Sequence, residues 1–216
     1  MNSPADTLAA ALSQCGVDLP ADQIQRLDTY CQLLWEWNAK LNLTRHTDYP
    51  TFAARDVVDS LVLAEALGPG EPVLDVGTGG GVPGVVLAIL RDDLEVTLCE
   101  SVGKKAQAVA DIVERLGLSV PVFHARAEDV LQGNPFDTLV LRAVARLKKL
   151  LVWFGPCRGS FERLLVLKGP AWAEERGEAR HFGLMQAWEL RKLKEYRTPG
   201  SQAENVLLQI RPKGAV

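Results

Sequence analysis

Apolar side chains recur at steps of three and four residues over the first 65 or so positions of the chain. Ile24, Leu27, Cys31 and Leu34 form one such stripe, and positions 54, 57, 58 and 61 form a second one. This spacing is typical of amphipathic helices, whereas the polar stretch 38–50 between the stripes is typical of a loop. The pattern therefore predicts an N-terminal helical extension over residues 1–67.

The pattern changes at residues 68–72, Gly-Pro-Gly-Glu-Pro, a run of turn-forming residues. Beyond it, short apolar runs at 73–76, 94–99, 120–124, 136–141 and 161–167 alternate with helical stretches. One helix is predicted to open near Pro83 and another to span about 103–116. Such alternation predicts a parallel sheet that is covered on both faces. The buried face of the second helix is predicted to consist of Ala106, Val109, Ala110, Val113 and Leu116.

The end of the chain has a different pattern. Two extended runs, 188–196 and 205–211, are connected through Thr-Pro-Gly-Ser at 198–201, which favours an antiparallel hairpin. We therefore expect the predicted sheet to be mostly parallel and to finish in an antiparallel pair.

Composition and charge limit the classes of protein to consider. The chain has 216 residues, of which 47% are hydrophobic and 24% charged, a balance that suits one core of ordinary size. The start lacks the basic and apolar segments of a signal peptide, and no apolar run approaches the ~20 residues of a membrane span. A cytoplasmic protein is expected. The four cysteines form no C-x-x-C pair and no histidine stands at metal-ligand spacing, so neither a metal site nor a disulfide is predicted.

A glycine-rich turn carries the first chemical signal. The segment Asp75-Val76-Gly77-Thr78-Gly79-Gly80-Gly81 follows a predicted strand directly and precedes a predicted helix. Glycines let the backbone turn sharply and approach a ligand, and a helix N-terminus offers unpaired N–H groups. Glu100 ends the next strand, where a carboxylate can accept hydrogen bonds from both ribose hydroxyls of an adenosine.

Two cofactor classes fit this turn. Gly79-x-Gly81-x-x-Gly84 formally satisfies the dinucleotide-binding fingerprint. Three features favour S-adenosylmethionine instead: Asp75 lies two places before the first glycine, the sheet ends in a hairpin, and no second mononucleotide-binding half follows. The predicted fold is α/β, a Rossmann-like class I S-adenosylmethionine-dependent methyltransferase domain over 68–216 that packs with the helical extension as one unit.

A more specific pattern is spread over nearly the whole chain. Its segments are Trp37-Asn38 with Leu41-Asn42-Leu43-Thr44, Arg55 with Asp59-Ser60-Leu61, the loop 73–84, Ser101 to Lys105, Arg126 to Glu128, Arg142-Ala143 and Leu167-Lys168-Gly169. Together they resemble the bacterial small-subunit ribosomal RNA guanine-N7 methyltransferase family (RsmG/GidB). Asp56 stands where that family usually has histidine, Leu141 stands where serine is frequent, and the C-terminal third matches only loosely.

The resemblance implies a reaction, a cofactor and a partner. The reaction is methylation of a guanine N7 in 16S ribosomal RNA, either naked or within a ribosomal particle, by a monomer that converts S-adenosylmethionine to S-adenosylhomocysteine. The glycine loop and the resemblance together predict the cofactor-binding residues Asp75, Gly77, Gly79, Gly81, Val82, Glu100, Ala127, Glu128 and Arg142. Ligands of open parallel sheets bind outside the carboxyl ends of the strands, and these positions are predicted to lie there.

Guanine N7 carries an available lone pair, so the reaction needs alignment and no general base is expected. Arg142 and Lys168 are predicted positioning groups that could reach guanine O6 or a phosphate; a surface cation or a salt bridge is the alternative for each. With a net charge of −3, RNA must be held by a local basic surface. The stretch 142–168 has seven basic residues and one acid, and we expect it to border the active face. The predicted RNA contacts are Arg126, Arg146, Lys148, Lys149 and Lys168, although a solvated helix face is an equally good interpretation of Lys148 and Lys149.

Three alternatives stay open from the residues alone. They are a methyltransferase that acts on another RNA, a protein or a small molecule, a cofactor-binding regulator without catalysis, and a nicotinamide oxidoreductase. Trp35 and Trp37 are predicted to pack the extension onto the core rather than to stack on bases. No role is assigned to His46, His124 or His181.

Overall fold

The structure is a computed structural model that describes residues 6–202 and 204–214. Residues 1–5, on which the expectation of no signal peptide rests in part, lie outside the described residues. In the described part of the chain, no helix combines the length and the apolar character that a membrane span requires.

A single sheet forms the centre of the molecule. Its strands in the described chain are β1 (Pro72–Val76), β2 (Glu95–Glu100), β3 (Val122–His124), β4 (Phe136–Arg142), β5 (Phe161–Lys168), β6 (Trp188–Arg197) and β7 (Glu204–Pro212). They lie in the order β3-β2-β1-β4-β5-β7-β6. The first five strands pair in parallel, β7 is antiparallel to β5, and β6 is antiparallel to β7. The predicted α/β fold with a C-terminal antiparallel hairpin is confirmed.

Helices cover both faces of the sheet. They are α1 (Leu8–Gln14), α2 (Ala21–Asn38), α3 (Tyr49–Thr51), α4 (Val58–Ala64), α5 (Gly84–Leu90), α6 (Gly103–Arg115), α7 (Ala127–Val130), α8 (Leu147–Phe154) and α9 (Trp172–His181). A π-helical turn, Phe52–Val57, joins α3 to α4, and a 3-10 turn, Leu184–Gln186, precedes β6. The central strands are apolar on both sides because each side of the sheet packs against helices.

The helical extension packs on the same face of the sheet as α5 and α6. Leu27 and Leu34 of α2 share one hydrophobic cluster with Val85 of α5 and Val109 of α6. Trp37 packs against this cluster, and its indole Nε1 donates to Asp111 Oδ2 at 2.7 Å. The prediction that Trp37 packs the extension onto the core is confirmed, whereas Trp35 contacts His46 and Tyr49 within the extension.

One predicted buried position in α6 was wrong. Ala110 is exposed, whereas Ala108 and Ile112 are buried together with Val109. A helix turns by about 100° per residue, and the buried face is centred between Val109 and Ile112. Ala110 therefore points away from the sheet.

The outer strand β6 carries charged side chains along the edge of the sheet. Six of its ten residues are charged, and its register with β7 is irregular between Lys192 and Lys194. Charged side chains and bulges on an edge strand disfavour edge-to-edge association.

Candidate functional site

The glycine turn lies at the carboxyl end of β1, as predicted. Its backbone is fixed against β2, because the Gly77 amide donates to the Cys99 carbonyl at 2.8 Å. Gly77, Gly79 and Gly81 adopt positive φ values of 67°, 60° and 109°, which side chains other than glycine rarely adopt. The turn thus needs glycine at these positions for its conformation alone.

The glycines of this turn differ in what surrounds them. A Cβ on Gly80 would lie 2.6 Å from Leu34 Cδ1, and one on Gly81 would lie 2.7 Å from Val85 Cγ2. A Cβ on Gly79 would meet only the Gly77 carbonyl oxygen, at 4.0 Å. Gly80 and Gly81 therefore allow close packing inside the protein, whereas the space beside Gly79 is open.

The carboxyl group of Asp75 stabilises the turn through two hydrogen bonds. Its Oδ2 accepts hydrogen bonds from Thr78 Oγ1 at 2.6 Å and from the Gly84 amide at 2.8 Å, where α5 begins. Its Oδ1 is buried and has no hydrogen-bond partner among the described residues. Burial raises the pKa of this carboxyl to about 6, although both hydrogen bonds act to lower the pKa.

Glu100 connects the turn to the end of β2. Its side chain is buried, with Oε2 accepting from the Gly79 amide at 3.0 Å and Oε1 accepting from the Val102 amide at 2.8 Å. Each carboxylate oxygen has a further lone pair, so this geometry is compatible with additional hydrogen bonds to a ligand. The acid is at the place that the sequence predicted.

Two neighbouring cavities open at the carboxyl ends of the strands. The smaller, of about 100 Å³, is lined by Gly77 and by Arg126, Ala127 and Glu128 at the start of α7. The larger, of about 550 Å³, is lined by the start of α8 and by Glu178 of α9. Val144 lines both cavities. Gly77, Ala127 and Glu128, which the sequence predicted as parts of one site, are thus brought together.

Arg142, at the end of β4, lies in a network of charges that the sequence analysis missed. Its guanidinium donates to Asp56 Oδ1 at 2.5 Å and to Asp59 Oδ2 at 3.2 Å, both in the helical extension. His46 Nδ1 lies 2.9 Å from Asp56 Oδ1, and the Tyr196 hydroxyl donates to Asp59. The salt bridge that the sequence left as an alternative for Arg142 is present. The resemblance had marked Asp56 and Asp59, but nothing in the sequence paired them with Arg142.

This network shifts the pKa values of its members. Burial raises the pKa of the Asp59 carboxyl above its usual range, despite the charge of Arg142 and the hydrogen bond from Tyr196. Burial alone would lower the pKa of Arg142, but the charges of Asp56 and Asp59 raise it instead. The guanidinium is consequently a fixed positive charge between two carboxyl groups.

The chain is similar to a known protein family over most of its length. The model of the family described as rRNA small subunit methyltransferase G matches residues 23–205. The chain belongs to this family. A family member from Rhodopirellula baltica is 48% identical over 186 residues, which cover 86% of this chain and 80% of that protein. Another, from Pseudomonas aeruginosa, is 38% identical over 166 residues, or 76% of this chain and 78% of that protein.

Solved structures with low sequence identity share the fold. An O-methyltransferase from Bacillus cereus, in complex with SAH, has a TM-score of 0.61 at 20% identity and covers 95% of this chain and 97% of its own. The 23S rRNA methyltransferase ErmE has a TM-score of 0.53 at 19% identity and covers 74% of this chain and 69% of its own. These likenesses support the class I methyltransferase fold of this family member.

The basic residues of the stretch 142–168 in this family member do not all lie at the same end of the sheet. Arg163 lies near the amino end of β5, where its Nη2 contacts both carboxylate oxygens of Glu71 at 2.9 Å. Arg158 lies just before β5 and donates to the Gly155 carbonyl. The expectation that the whole stretch borders the active face was wrong for these two residues, because α8 carries the chain back to the opposite edge of the sheet.

The basic residues at the start of α8 do border the larger cavity. Arg146 Nη2 lies 3.2 Å from Glu178 Oε2, and Lys148 Nζ lies 3.5 Å from Glu178 Oε1. Lys149 is exposed, with its Nζ 4.7 Å from the centre of the Trp153 ring. Acids of α9 therefore offset part of the positive charge here, which the composition of 142–168 could not indicate. The predicted contacts of these side chains with RNA stay predictions.

Val82 and Lys168 are held by the protein itself. Val82 is half-buried and packs against the hydrophobic cluster of the extension. Lys168 Nζ donates to the Ala145 carbonyl at 2.6 Å and to Glu175 Oε2 at 2.7 Å. The salt bridge considered for Lys168 is present, and its contact with guanine or phosphate stays a prediction.

Proposed function

We propose that this chain transfers the methyl group of S-adenosylmethionine to N7 of a guanine in 16S ribosomal RNA. The observation that carries the proposal is the glycine turn of this family member, held by the Glu100 carboxylate beside a cavity at the carboxyl ends of the strands. A carboxylate in that position suits the ribose hydroxyls of an adenosine, since it can accept two hydrogen bonds.

The residues at the site fit this cofactor in shape and chemistry. The space beside Gly79 is open, so the backbone of the turn is free to contact a ligand. Ala127 offers an apolar surface and Glu128 a polar one at the cavity beyond Gly77. When bound, S-adenosylmethionine supplies a methyl group on a positively charged sulfur. We propose Asp75, Gly77, Gly79, Gly81, Val82, Glu100, Ala127, Glu128 and Arg142 as the residues that bind or shape its site.

The proposed contribution of the protein is alignment rather than proton transfer. Guanine N7 has a free lone pair at neutral pH, so its attack requires no deprotonation. Arg142 is fixed between two carboxylates at the end of β4 and is positioned to maintain the geometry of this edge. We propose that it orients the reacting groups.

The larger cavity is the proposed entry for the target nucleotide. Its volume of about 550 Å³ is within the range of ligand sites, and basic side chains lie along its border. We propose Arg126, Arg146, Lys148 and Lys149 as contacts to the RNA backbone, because local positive charge is required in a chain with a net charge of −3. Action as a monomer in the cytoplasm is part of this proposal, and light scattering of the purified protein tests the monomeric state.

The deciding experiment is incubation of the protein with labelled S-adenosylmethionine and undermethylated small ribosomal subunits, followed by nucleoside analysis. We expect labelled 7-methylguanosine, and a single-turnover rate that is nearly independent of pH from mildly acidic to mildly alkaline conditions. Label on an exocyclic amine or a ribose, or a rate that climbs tenfold per pH unit through neutrality, would contradict the proposal. Turnover without RNA would indicate a different substrate.

A further inference from the structure

A partly buried ion pair contacts the backbone that follows β4. Lys168 Nζ contacts Glu175 Oε2 at 2.7 Å, and only 12% of each side chain is exposed. The remaining hydrogen bonds of the pair go to the backbone of one segment, residues 143–147. Lys168 donates to the Ala145 carbonyl at 2.6 Å, and Glu175 Oε2 accepts from the Leu147 amide at 2.8 Å.

These contacts differ from those of the other acids of α9. Among the described residues, the carboxylates of Glu174 and Glu178 pair with cationic side chains at 3.2 to 3.9 Å, and Glu174 is 79% exposed. Exposed pairs of this kind contribute little to structure. Glu175 and Lys168 instead make charge-assisted hydrogen bonds to backbone atoms, with only 12% of each side chain exposed, and such bonds are short and strongly oriented. The pair therefore fixes the position of the segment.

The segment itself adopts an unusual conformation. Ala143 has a φ of 55°, in the left-handed region that residues other than glycine seldom adopt. Strained residues of this kind persist where their surroundings hold them, and they cluster at functional sites. The two bonds at Ala145 and Leu147 are the restraints that follow this residue directly.

The segment also separates the two cavities of the site. Val144 lines both of them, and a Cβ placed on Gly77 would lie 3.4 Å from Val144 Cγ2. A shift of residues 143–147 would consequently move the wall between the glycine turn and the larger cavity. The relative position of the two cavities depends on the restraints at Ala145 and Leu147.

We propose that Lys168 and Glu175 are positioning residues for methyl transfer, which act by fixing residues 143–147 between the cofactor cavity and the substrate cavity. The inference rests on the proposed function. In this arrangement Lys168 acts through the Ala145 carbonyl, and this role replaces the contact with guanine or phosphate that was predicted from the sequence. Glu175 is a member of the site that its position in the sequence did not reveal.

The test compares Lys168→Met, Glu175→Ala, the double variant and Glu175→Gln with the wild-type protein. We expect each single loss to lower kcat by about ten- to a hundredfold, because small misplacements of reacting groups have effects of that size. The double variant should lose little more than one single variant, since both residues restrain the same segment. Glu175→Gln keeps an acceptor for the Leu147 amide and should retain more activity than Glu175→Ala.

Two further measurements separate positioning from RNA contact and from general stability. The slope of RNA affinity against salt should be unchanged in Lys168→Met, whereas loss of a phosphate contact would reduce it by about one. Lys194→Met is the control, because it removes a lysine that pairs with Glu65 at the surface and lines neither of the two cavities. It should leave kcat unchanged. A lower melting temperature with unchanged kcat in the site variants would overturn the proposal, as would a reduced salt slope in Lys168→Met.

Amide hydrogen exchange keeps this inference separate from the proposed function. Exchange at Leu147 should be faster in Glu175→Ala than in Glu175→Gln, whatever the substrate of the protein. If the wild-type protein does not methylate small-subunit RNA, the proposed function fails. Equal exchange at Leu147 in the two variants would show, independently, that the pair does not fix the segment.

Discussion

Replacing Arg142 with methionine tests the buried charge network most directly. The substitution preserves much of the side chain's volume but leaves Asp56, which is fully buried, and Asp59, which is 7% exposed, without their cation. Removing one partner of a buried pair costs about 3–5 kcal/mol. We expect the lower end, about 3 kcal/mol, because Asp56 keeps its contact with His46 and Asp59 keeps the hydrogen bond from Tyr196.

Urea unfolding at pH 7 measures this loss. The midpoint should fall while the m-value stays constant, which is the mark of a change in stability alone. For a chain of this length, about 3 kcal/mol corresponds to a melting temperature lower by roughly 6–12 °C. Arg115→Met is the matched control, since Arg115 pairs with Glu36 on the surface with 42% of its side chain exposed. It should change the free energy of unfolding by no more than about 0.5 kcal/mol.

The pH dependence of the stability lost in Arg142→Met is a second, independent test of the charge network. Burial raises the pKa of Asp59, and without the charge of Arg142 this pKa should rise further. A carboxyl group whose pKa is raised in the native state takes up a proton there more readily than in the unfolded state. It therefore adds to the free energy of unfolding as the pH falls, and this contribution is lost as the pH rises through the raised pKa. The difference in free energy of unfolding between wild type and Arg142→Met should therefore become smaller from pH 7 to pH 5. A difference below about 1 kcal/mol at pH 7, or one that grows toward acid, would refute the pairing.

Four further predictions address the cofactor and RNA sites. Gly79→Val should abolish binding of S-adenosylmethionine in calorimetry while circular dichroism shows a folded protein, because a branched side chain disfavours the φ of 60° and would fill the open space proposed for the ligand; wild-type affinity would contradict the proposed role of the turn. Glu100→Ala should weaken the same binding by about 1–3 kcal/mol through lost hydrogen bonds, and an unchanged dissociation constant would mean that Glu100 only supports the turn. Changing Lys148 and Lys149 to glutamate should weaken RNA binding and reduce its salt slope by about two; the same slope in both proteins would mean that these lysines are merely solvated. Wild type should gain about 1 kcal/mol of stability between pH 7 and 5 from Asp75, whose pKa is raised to about 6 by burial, and this gain should be lost as the pH rises through that value. Asp75→Asn should lack this gain in urea unfolding at the two pH values, and equal pH slopes in the two proteins would count against the raised pKa.

Local patterns determined most of the architecture in advance. The periods of three to four residues located α2, the π-helical turn with α4, and α6, and the apolar runs located the strands to within a few residues. The glycine turn after β1 and the acid at the end of β2 were also predictable, because a tight turn imposes its residues within a short span of sequence. The family was also recognisable from the sequence, because its motifs are short stretches of neighbouring residues.

Only the tertiary structure decided which side chains meet. Arg142 pairs with Asp56 across a separation of 86 residues, and Lys168 reaches back 23 residues to the Ala145 carbonyl. Arg163 lies at the opposite end of the sheet from Lys168, although only five positions separate them on β5. The physical reason is that the type of a residue and its place in the apolar pattern determine whether it faces the core. Its partner depends instead on the order of the strands in the sheet and on the helix that covers them. Sequence therefore determined the fold and the place of the candidate site, and packing determined which groups each charge there contacts.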